Sequence, residues 1–512
     1  MTETILIIDL GSTSVKSTIF TPDARVLARS GEGYPTAAPH PTWAEQDPGE
    51  WWEATVRATR DALQQADARL DPAQDCKIVA LGVTGQMHGL VALDRAGEAL
   101  GPCLTVQDRR AAAEVEAIED ELGDGRAYAV TGARLDAASP AAKLRWLARH
   151  QPETISRAAM FLPPKDYLRY RLTGSVATEP VDAAGSLLYD LRLEAWSPEL
   201  AAAARVDPDC LPPPRAPHSV AGTLTVPAAR ALGLPAGIPV AVGAGDDVEC
   251  LGAGLLGPGR ALEHLGTTGS MLACSPRIVA DPAMRVDCYP HAVPGHYLVG
   301  GSTGSAGATL AWAAHNLMTP EGMAAGDGAG DAAAPRLDEE LASDPAETLV
   351  FLPYLAGERC PVWNPHLRGV LVGMTLGTTG RQIARAVFTG VAYSLRHILD
   401  TLRDLDLRID DVIASGDGGD GAGPAWPRLR SQVYGRPLLL PEAGDPTARG
   451  ALLLTLVAIG AQPDIPTAAA RLTTPTRRVE PGPDPGDELE RRYRLYRELS
   501  AATEPIFRRW TG

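Results

Sequence analysis

One pattern, met twice, constrains this chain more than any other: a buried strand, a short turn rich in Gly, Ser and Thr, then a second strand. The first copy is Ile5-Leu-Ile-Ile-Asp9, the turn Leu10-Gly-Ser-Thr-Ser14, and Val15-Lys-Ser-Thr-Ile-Phe20. Thr21-Pro-Asp-Ala24 turns the chain again before Val26-Leu-Ala. The second copy is Ala261-Leu-Glu-His-Leu265, the turn Gly266-Thr-Thr-Gly269, and Ser270-Met-Leu-Ala-Cys274. Apolar runs bounded by turn residues read as strands, and the tight turns between them read as hairpins. Glu50 to Gln65 carries helical periodicity behind the capping signal Asp47-Pro48. Ile78 to Thr84 reads as a short buried strand ending at Gly85, and Val240 to Asp246 as a strand running into an acidic turn. Strands alternating with helices predict an α/β chain, and 512 residues suffice for two cores. The expectation is two related α/β domains facing one cleft, divided as 1–240 and 241–512.

Charge and cysteine usage narrow the function. Lys+Arg is 47 and Asp+Glu is 63, a formal net charge of −16, so a broad footprint for nucleic acid is not expected. A local phosphate site is still compatible, because a few donors and a metal can hold one against the global field. The seven cysteines are scattered with no C-x-x-C, which suits reduced thiols in a cytoplasmic protein better than disulfides or a zinc site. The start lacks a basic stretch followed by an apolar one, so no signal peptide is read. No apolar run reaches the roughly 18 residues needed to span a bilayer, so no membrane partner is expected. Pro212-Pro-Pro-Arg-Ala-Pro217 reads as a stiff connector, and residues 324–335 and 480–487 as low-complexity surface segments. Glu488 to Phe507 reads as a charged amphipathic helix.

Several residues could carry chemistry. Asp9 ends a buried strand and is followed by Gly11, Ser12 and Thr13. A carboxylate there can hold Mg²⁺ through water while the turn offers donors to phosphate oxygens, although a capping or turn Asp looks the same. Gly243-Ala-Gly-Asp246-Asp247 reads as an acidic turn in which Asp246 could serve as a base, or equally as a solvated turn or helix cap. Burial and the neighbouring Asp247 are expected to raise its pKa. Gly266, Thr267 and Thr268 could cradle phosphates, and a plain hairpin is the competing meaning. Met87-His88-Gly89 is apolar and polar by turns, as a sugar pocket would be, though a lone His is often structural.

Taken in order, these segments resemble the FGGY carbohydrate kinases, over nearly the whole chain from Ile5 to about Gly460. The resemblance rests on Asp9-Leu-Gly-Ser-Thr-Ser-Val-Lys16, Thr42-Trp-Ala-Glu-Gln-Asp-Pro48 with Trp51-Trp52, Gly85-Gln-Met-His-Gly89, Pro164-Lys-Asp-Tyr-Leu-Arg169 and Asp182-Ala-Ala-Gly-Ser186. It continues through Gly245-Asp246, Leu265-Gly-Thr-Thr-Gly269 and Phe351-Leu-Pro-Tyr-Leu-Ala-Gly-Glu-Arg359. Lys143-Leu-Arg-Trp-Leu147 matches most of one family signature, and Gly373 to Tyr393 most of the other. Several long segments in the right order are far more specific than one motif.

The resemblance implies an α/β architecture of two RNase H-like domains, of the actin and sugar-kinase type, flanking a central cleft. The N-terminal domain would bind the sugar and the C-terminal one the nucleotide. Its substrates would be ATP and a small sugar, with Mg²⁺ as cofactor and a homodimer left open. Carried over, Asp246 is the base, and Asp9 and Asp246 serve the metal. Gly11, Ser12, Thr13, Gly266, Thr267, Thr268, Gly418 and Gly419 serve the nucleotide, and Met87, His88, Asp108 and Asp246 serve the sugar. The Gln-Met-His-Gly element, with Lys165-Asp-Tyr and Asp182-Ala-Ala-Gly, is similar to that of members phosphorylating D-xylulose to D-xylulose 5-phosphate. The chain departs at Val106-Gln107, where the members acting on D-xylulose tend to show Trp-Asn, and at Asp420 and Arg428 in the adenosine segment. Arg449, before a Gly-Ala pair, and Thr389, where an acid is usual, are further departures. The rival readings are a sister kinase for another ketose, polyol or aldonate, a catalytically silent sugar-binding regulator on the same fold, and an actin-like ATPase.

Overall fold

A computed structural model describes residues 2–70, 76–317, 348–416, 423–441, 444–472, 476–483 and 487–510. The chain forms two compact units. The first comprises Met1–Leu256, Cys288–Tyr297 and Gly444–Thr473, and the second Gly257–Asp287, Leu298–Ala443 and Thr474–Gly512. The first unit thus takes back a late segment of the chain, which a single cut in the sequence cannot express.

In the first unit the strands lie in the order Val220–Thr223, Pro239–Ala241, Cys76–Gly85, Thr2–Leu10, Ser14–Phe20 and Val26–Gly33. Ala244–Gly245 also pairs with Cys76–Gly85. Thr2–Leu10 is antiparallel to Ser14–Phe20 and parallel to Cys76–Gly85, so the sheet is mixed. Successive side chains of the first strand point to opposite faces. Leu6, Ile8 and Leu10 join the core under helix Pro48–Arg69, with Trp51, Ala54, Ala58, Ala62 and Ala66. Ile5 and Ile7 join the core under helix Pro446–Ala458, with Ala451 and Leu452. That second helix lies so close that a Cβ at Gly82 would stand 2.1 Å from Thr455 Oγ1. Helix Pro48–Arg69 begins as its sequence requires: the Asp47 side chain accepts from Gly49 N–H at 2.8 Å, and Pro48 occupies the first turn.

In the second unit the neighbours run Tyr297–Thr303, Gly269–Ser275, Gly259–Leu265, Ile409–Ser415, Leu438–Pro441 and Thr476–Val479. The strand senses repeat those of the first unit. A hairpin's first strand is parallel to a fourth strand, which is parallel to a fifth, which is antiparallel to the last. The repeated strand–turn–strand pattern therefore marks two sheets with the same pairing senses, although the edge strand Val220–Thr223 precedes its neighbour in the chain and Thr476–Val479 follows its own. Helix Gly380–Asp404 opens with a capping box between Thr379 and Gln382. Helix Glu488–Trp510 closes on the unit through Tyr496, whose hydroxyl is 2.9 Å from that of Tyr354.

The segment expected as one strand over Val240 to Asp246 is broken. Pro239–Ala241 and Ala244–Gly245 are separate, and Gly243 between them has φ +75°. A Cβ there would also stand 1.9 Å from the Val83 carbonyl, so glycine is required on both counts. None of the seven cysteines is joined in a disulfide, and no described helix is long and apolar enough to cross a membrane.

Candidate active site

Three adjacent strands of the first unit deliver the acids. Asp9 is in register with Thr84, and Ala244 is in register with the same Thr84 from the other side. Asp9 and the short turn Asp246–Val248 therefore leave the carboxyl end of the sheet with one strand between them, roughly two strand spacings of about 4.8 Å apart. Crevices at the carboxyl ends of strands are where open α/β sheets bind ligands.

Asp9 is buried, and that burial raises its carboxyl to about 6, ahead of the opposing pull of Lys16 and Arg29 and the push of Asp445. Lys16 Nζ stands 3.9 Å from Asp9 Oδ2 and 3.9 Å from Asp445 Oδ2, while Arg29 holds Asp445 at 2.6 Å. Surrounding protein raises the Asp246 carboxyl well above the usual range, followed by Asp247, Asp9, Asp182 and Glu249. The Asp246 side chain nonetheless keeps an exposed flank, so solvent moderates the penalty while the crowding of acids remains. A carboxyl raised toward neutrality is a better proton acceptor at working pH. Among the described residues no group of three or more His, Cys, Asp or Glu side chains could enclose a metal. One or two carboxylates suit Mg²⁺, which keeps waters and phosphate oxygens as its other ligands.

The two Gly/Thr turns share one device. In the first, Gly11 O accepts from the Tyr34 hydroxyl, Ser12 O from Gln46 Nε2 at 2.7 Å, and Thr13 O from Tyr34 N–H at 3.2 Å. Gln46 also donates to Thr36 Oγ1 and accepts from Gln86 Nε2 at 2.9 Å and Trp51 Nε1 at 3.2 Å, so the turn rests on a fully used amide. In the second, Gly266 O accepts from Gly307 N–H at 3.0 Å, and Thr267 O from Ala306 and Ala308 N–H at 3.2 and 3.1 Å. Carbonyls that would repel phosphate are tied back in both turns, and the side chains of Ser12, Thr13, Thr267 and Thr268 are exposed.

Met87 and His88 flank Gly245 and Gly185. A Cβ on Gly245 would stand 2.5 Å from Met87 Cγ, and His88 Nδ1 is 2.8 Å from Gly185 O. His88 has φ +60°, and its carbonyl accepts from Lys143 Nζ at 2.7 Å. Lys143 is fully buried, donates also to Thr105 O at 2.8 Å, and is lowered by that burial to about 7. Asp108 is also fully buried. Its carboxylate accepts from Ala44 N–H at 2.7 Å and is clamped by Arg110, so both oxygens face protein donors. Arg110 in turn reaches Glu45 at 2.6 Å and lies over the Trp43 ring. Gln107 is exposed.

Of the residues expected to serve the nucleotide, Gly418 and Gly419, with Asp420 beside them, lie outside the described residues. Gly416 has φ +85° and packs against Leu265, where a Cβ would stand 2.4 Å from the carbonyl oxygen. Sequence reasoning missed the support beneath this strand. Glu263 is fully buried and answered by Arg430 at 2.7 Å and the Tyr434 hydroxyl at 2.5 Å. It also missed the role of Gln46, although Gln46 lies in a quoted motif.

Comparison with known proteins gives two family matches. Residues 4–252 match the N-terminal domain, and residues 263–459 the C-terminal domain, of the FGGY family of carbohydrate kinases. The xylulose kinase of Escherichia coli (strain K12) is 33% identical over 441 residues, 86% of this chain and 86% of that protein. The gluconokinase of Bacillus licheniformis is 26% identical over 521 residues, 98% of this chain and 97% of that protein. The solved xylulose kinase from Rhodospirillum rubrum superposes with a TM-score of 0.87 at 30% identity, covering 99% of this chain and 100% of that one.

Proposed function

The chain belongs to the FGGY family of carbohydrate kinases, ATP-dependent sugar kinases, and we propose that it phosphorylates D-xylulose to D-xylulose 5-phosphate. The observation that supports the mechanism is the register that brings Asp9 and the Asp246–Val248 turn to the carboxyl end of the first sheet with one strand between them. Asp246 takes the proton from the terminal hydroxyl as its oxygen attacks the γ-phosphorus. The new O–P bond forms in line as the bond to the bridging oxygen breaks, and ADP leaves with that electron pair. Asp9 and Asp246 are the groups that would hold Mg²⁺, which when bound draws charge from the phosphate oxygens. Ser12 and Thr13, and in the second unit Thr267 and Thr268, present donors to phosphate, the N–H groups of Gly11 and Gly266 being given to Ser14 O and Thr268 O instead, while Met87 and His88 orient the sugar. Asp108 acts on the sugar site through Arg110 and the Ala44 backbone, since its own oxygens are occupied. No side chain in this account forms a bond to phosphorus, so the rate comes from positioning and charge.

D-xylulose is supported by the Gln86-Met87-His88-Gly89 element and by the similarity to xylulose kinases. Gluconate is the second reading, favoured by the gluconokinase that matches over the full length and by the changed wall residue Gln107. ADP release across a panel of pentuloses, polyols and aldonates separates them. Good turnover of gluconate beside none of D-xylulose overturns the choice.

A further inference from the structure

The helix Pro180–Gly185 touches both halves of the sugar site. At its C-terminal end Gly185 O is 2.8 Å from His88 Nδ1, and a Cβ on Gly185 would stand 2.9 Å from Met87 Cε. At its N-terminal end Glu179 is the cap. Its Oε2 accepts from Val181 N–H at 2.6 Å, and its Oε1 accepts from Asp182 N–H at 3.0 Å. The same Oε1 accepts from Gly245 N–H at 3.1 Å, one residue before Asp246.

Ser, Thr, Asp and Asn are the usual helix caps, because a short arm reaches the N–H groups of its own first turn. A glutamate has one methylene more, and here the extra reach spans from the helix to Gly245. The side chain is completely buried, as are Lys165, Asp166 and Arg169, with Asp182 nearly so. Lys165 Nζ stands 2.5 Å from Asp166 Oδ1, 3.3 Å from Asp182 Oδ2 and 3.9 Å from Glu179 Oε1. Arg169 holds Asp166 at 2.5 Å and donates to Val242 O at 3.2 Å. The broken strand that leads into Asp246 is thus gripped at Val242 and at Gly245 by members of one buried ionic cluster. Buried charge is costly to keep, and an apolar cluster of the same volume would stabilise the unit as well.

We propose that Glu179 is a positioning residue that ties the sugar-orienting pair Met87 and His88 to the backbone carrying Asp246. This rests on the reading of Asp246 as the base. The hydroxyl to be phosphorylated must meet the base in one geometry, and a single buried carboxylate spanning both elements fixes that geometry before sugar arrives.

The test uses the full chain with the best sugar of the panel, measuring kcat, both KM values and melting temperature for E179D, E179Q, D246N and T225A. Asp remains a good cap but its shorter arm leaves the buried Gly245 N–H without its acceptor, so E179D loses some melting temperature, as T225A does, while its kcat falls about 10- to 100-fold. KM for ATP stays within about twofold, because the ATP-facing turns are untouched. Gln retains one acceptor oxygen for Gly245 and Asp182 but turns an amide NH₂ toward Val181 N–H, so E179Q melts lower while kcat stays within about threefold of wild type. T225A removes the cap of helix Val226–Leu232 in the same unit and moves melting temperature without moving kcat. Wild-type kcat in E179D, or E179Q no better than E179D, overturns the inference while an inactive D246N leaves the base reading standing. An active D246N overturns both.

Discussion

Asp9 and Lys16 face each other across the first hairpin, in register, with the ammonium 3.9 Å from the carboxylate and an equal 3.9 Å from Asp445. Arg29, 2.6 Å from Asp445, answers that acid, and Asp9 is left with only the looser 3.9 Å contact to Lys16. Burial leaves Asp9 raised to about 6, and a divalent ion arriving with a nucleotide would supply the missing positive charge.

Removing that carboxylate is therefore expected to act on metal use. In D9N the Mg²⁺ concentration for half-maximal activity rises about 10- to 100-fold, as for a group that holds the ion through water. KM for the sugar stays near wild type. A Mg²⁺ titration at saturating ATP and sugar checks both.

Much of this fold was legible from turns and apolar runs. Ile5 to Phe20 and Ala261 to Cys274 announce their hairpins because Asp9, Gly11 and Gly266 punctuate otherwise apolar stretches, and Asp47-Pro48 marks a helix start that is realised. The break at Gly243 was not legible, since a glycine inside an apolar run looks alike whether or not φ turns positive. Nor was the burial of Lys165, Asp166, Arg169 and Glu179, because charged residues at helical spacing normally mark a solvated face. Asp108 shows a related limit. Sequence places it beside the sugar elements, but only coordinates reveal that Arg110 and Ala44 N–H already occupy its oxygens.

Lys143 gives a pH signature. Its folded pKa is lowered by burial from 10.5 to about 7, so between these values the unfolded chain holds a proton that the folded chain has released. Wild-type stability from this group rises with pH through that window by about 1.4 kcal/mol per unit, so it is lost as pH falls from 10.5 toward 7 and changes no further below that. K143M lacks the group. The stability of wild type minus that of K143M, from denaturant melts, should rise from pH 7 to pH 9.5.

Gly245 is sterically pinned. In G245A the new methyl meets Met87 Cγ at 2.5 Å and Sδ at 2.7 Å. We expect a loss of about 1–3 kcal/mol and a raised KM for the sugar. Adding M87A should restore part of the stability, and a double-mutant cycle with no coupling between the two positions would contradict the contact.

The ion pair between Glu263 and Arg430 is buried in the second unit, with Tyr434 completing it. R430M leaves Glu263 uncompensated and should cost about 3–5 kcal/mol, whereas R430M with E263L should recover much of that loss. Chemical denaturation of the single and double variants decides it.

The most direct measurement is sugar-dependent ADP release by wild type and D246N, side by side, with D-xylulose as acceptor. Asp246 as the base predicts brisk release by wild type and a fall on the order of 100- to 10,000-fold in D246N, with the variant still folded. Turnover of D-xylulose by D246N near the wild-type rate would contradict it.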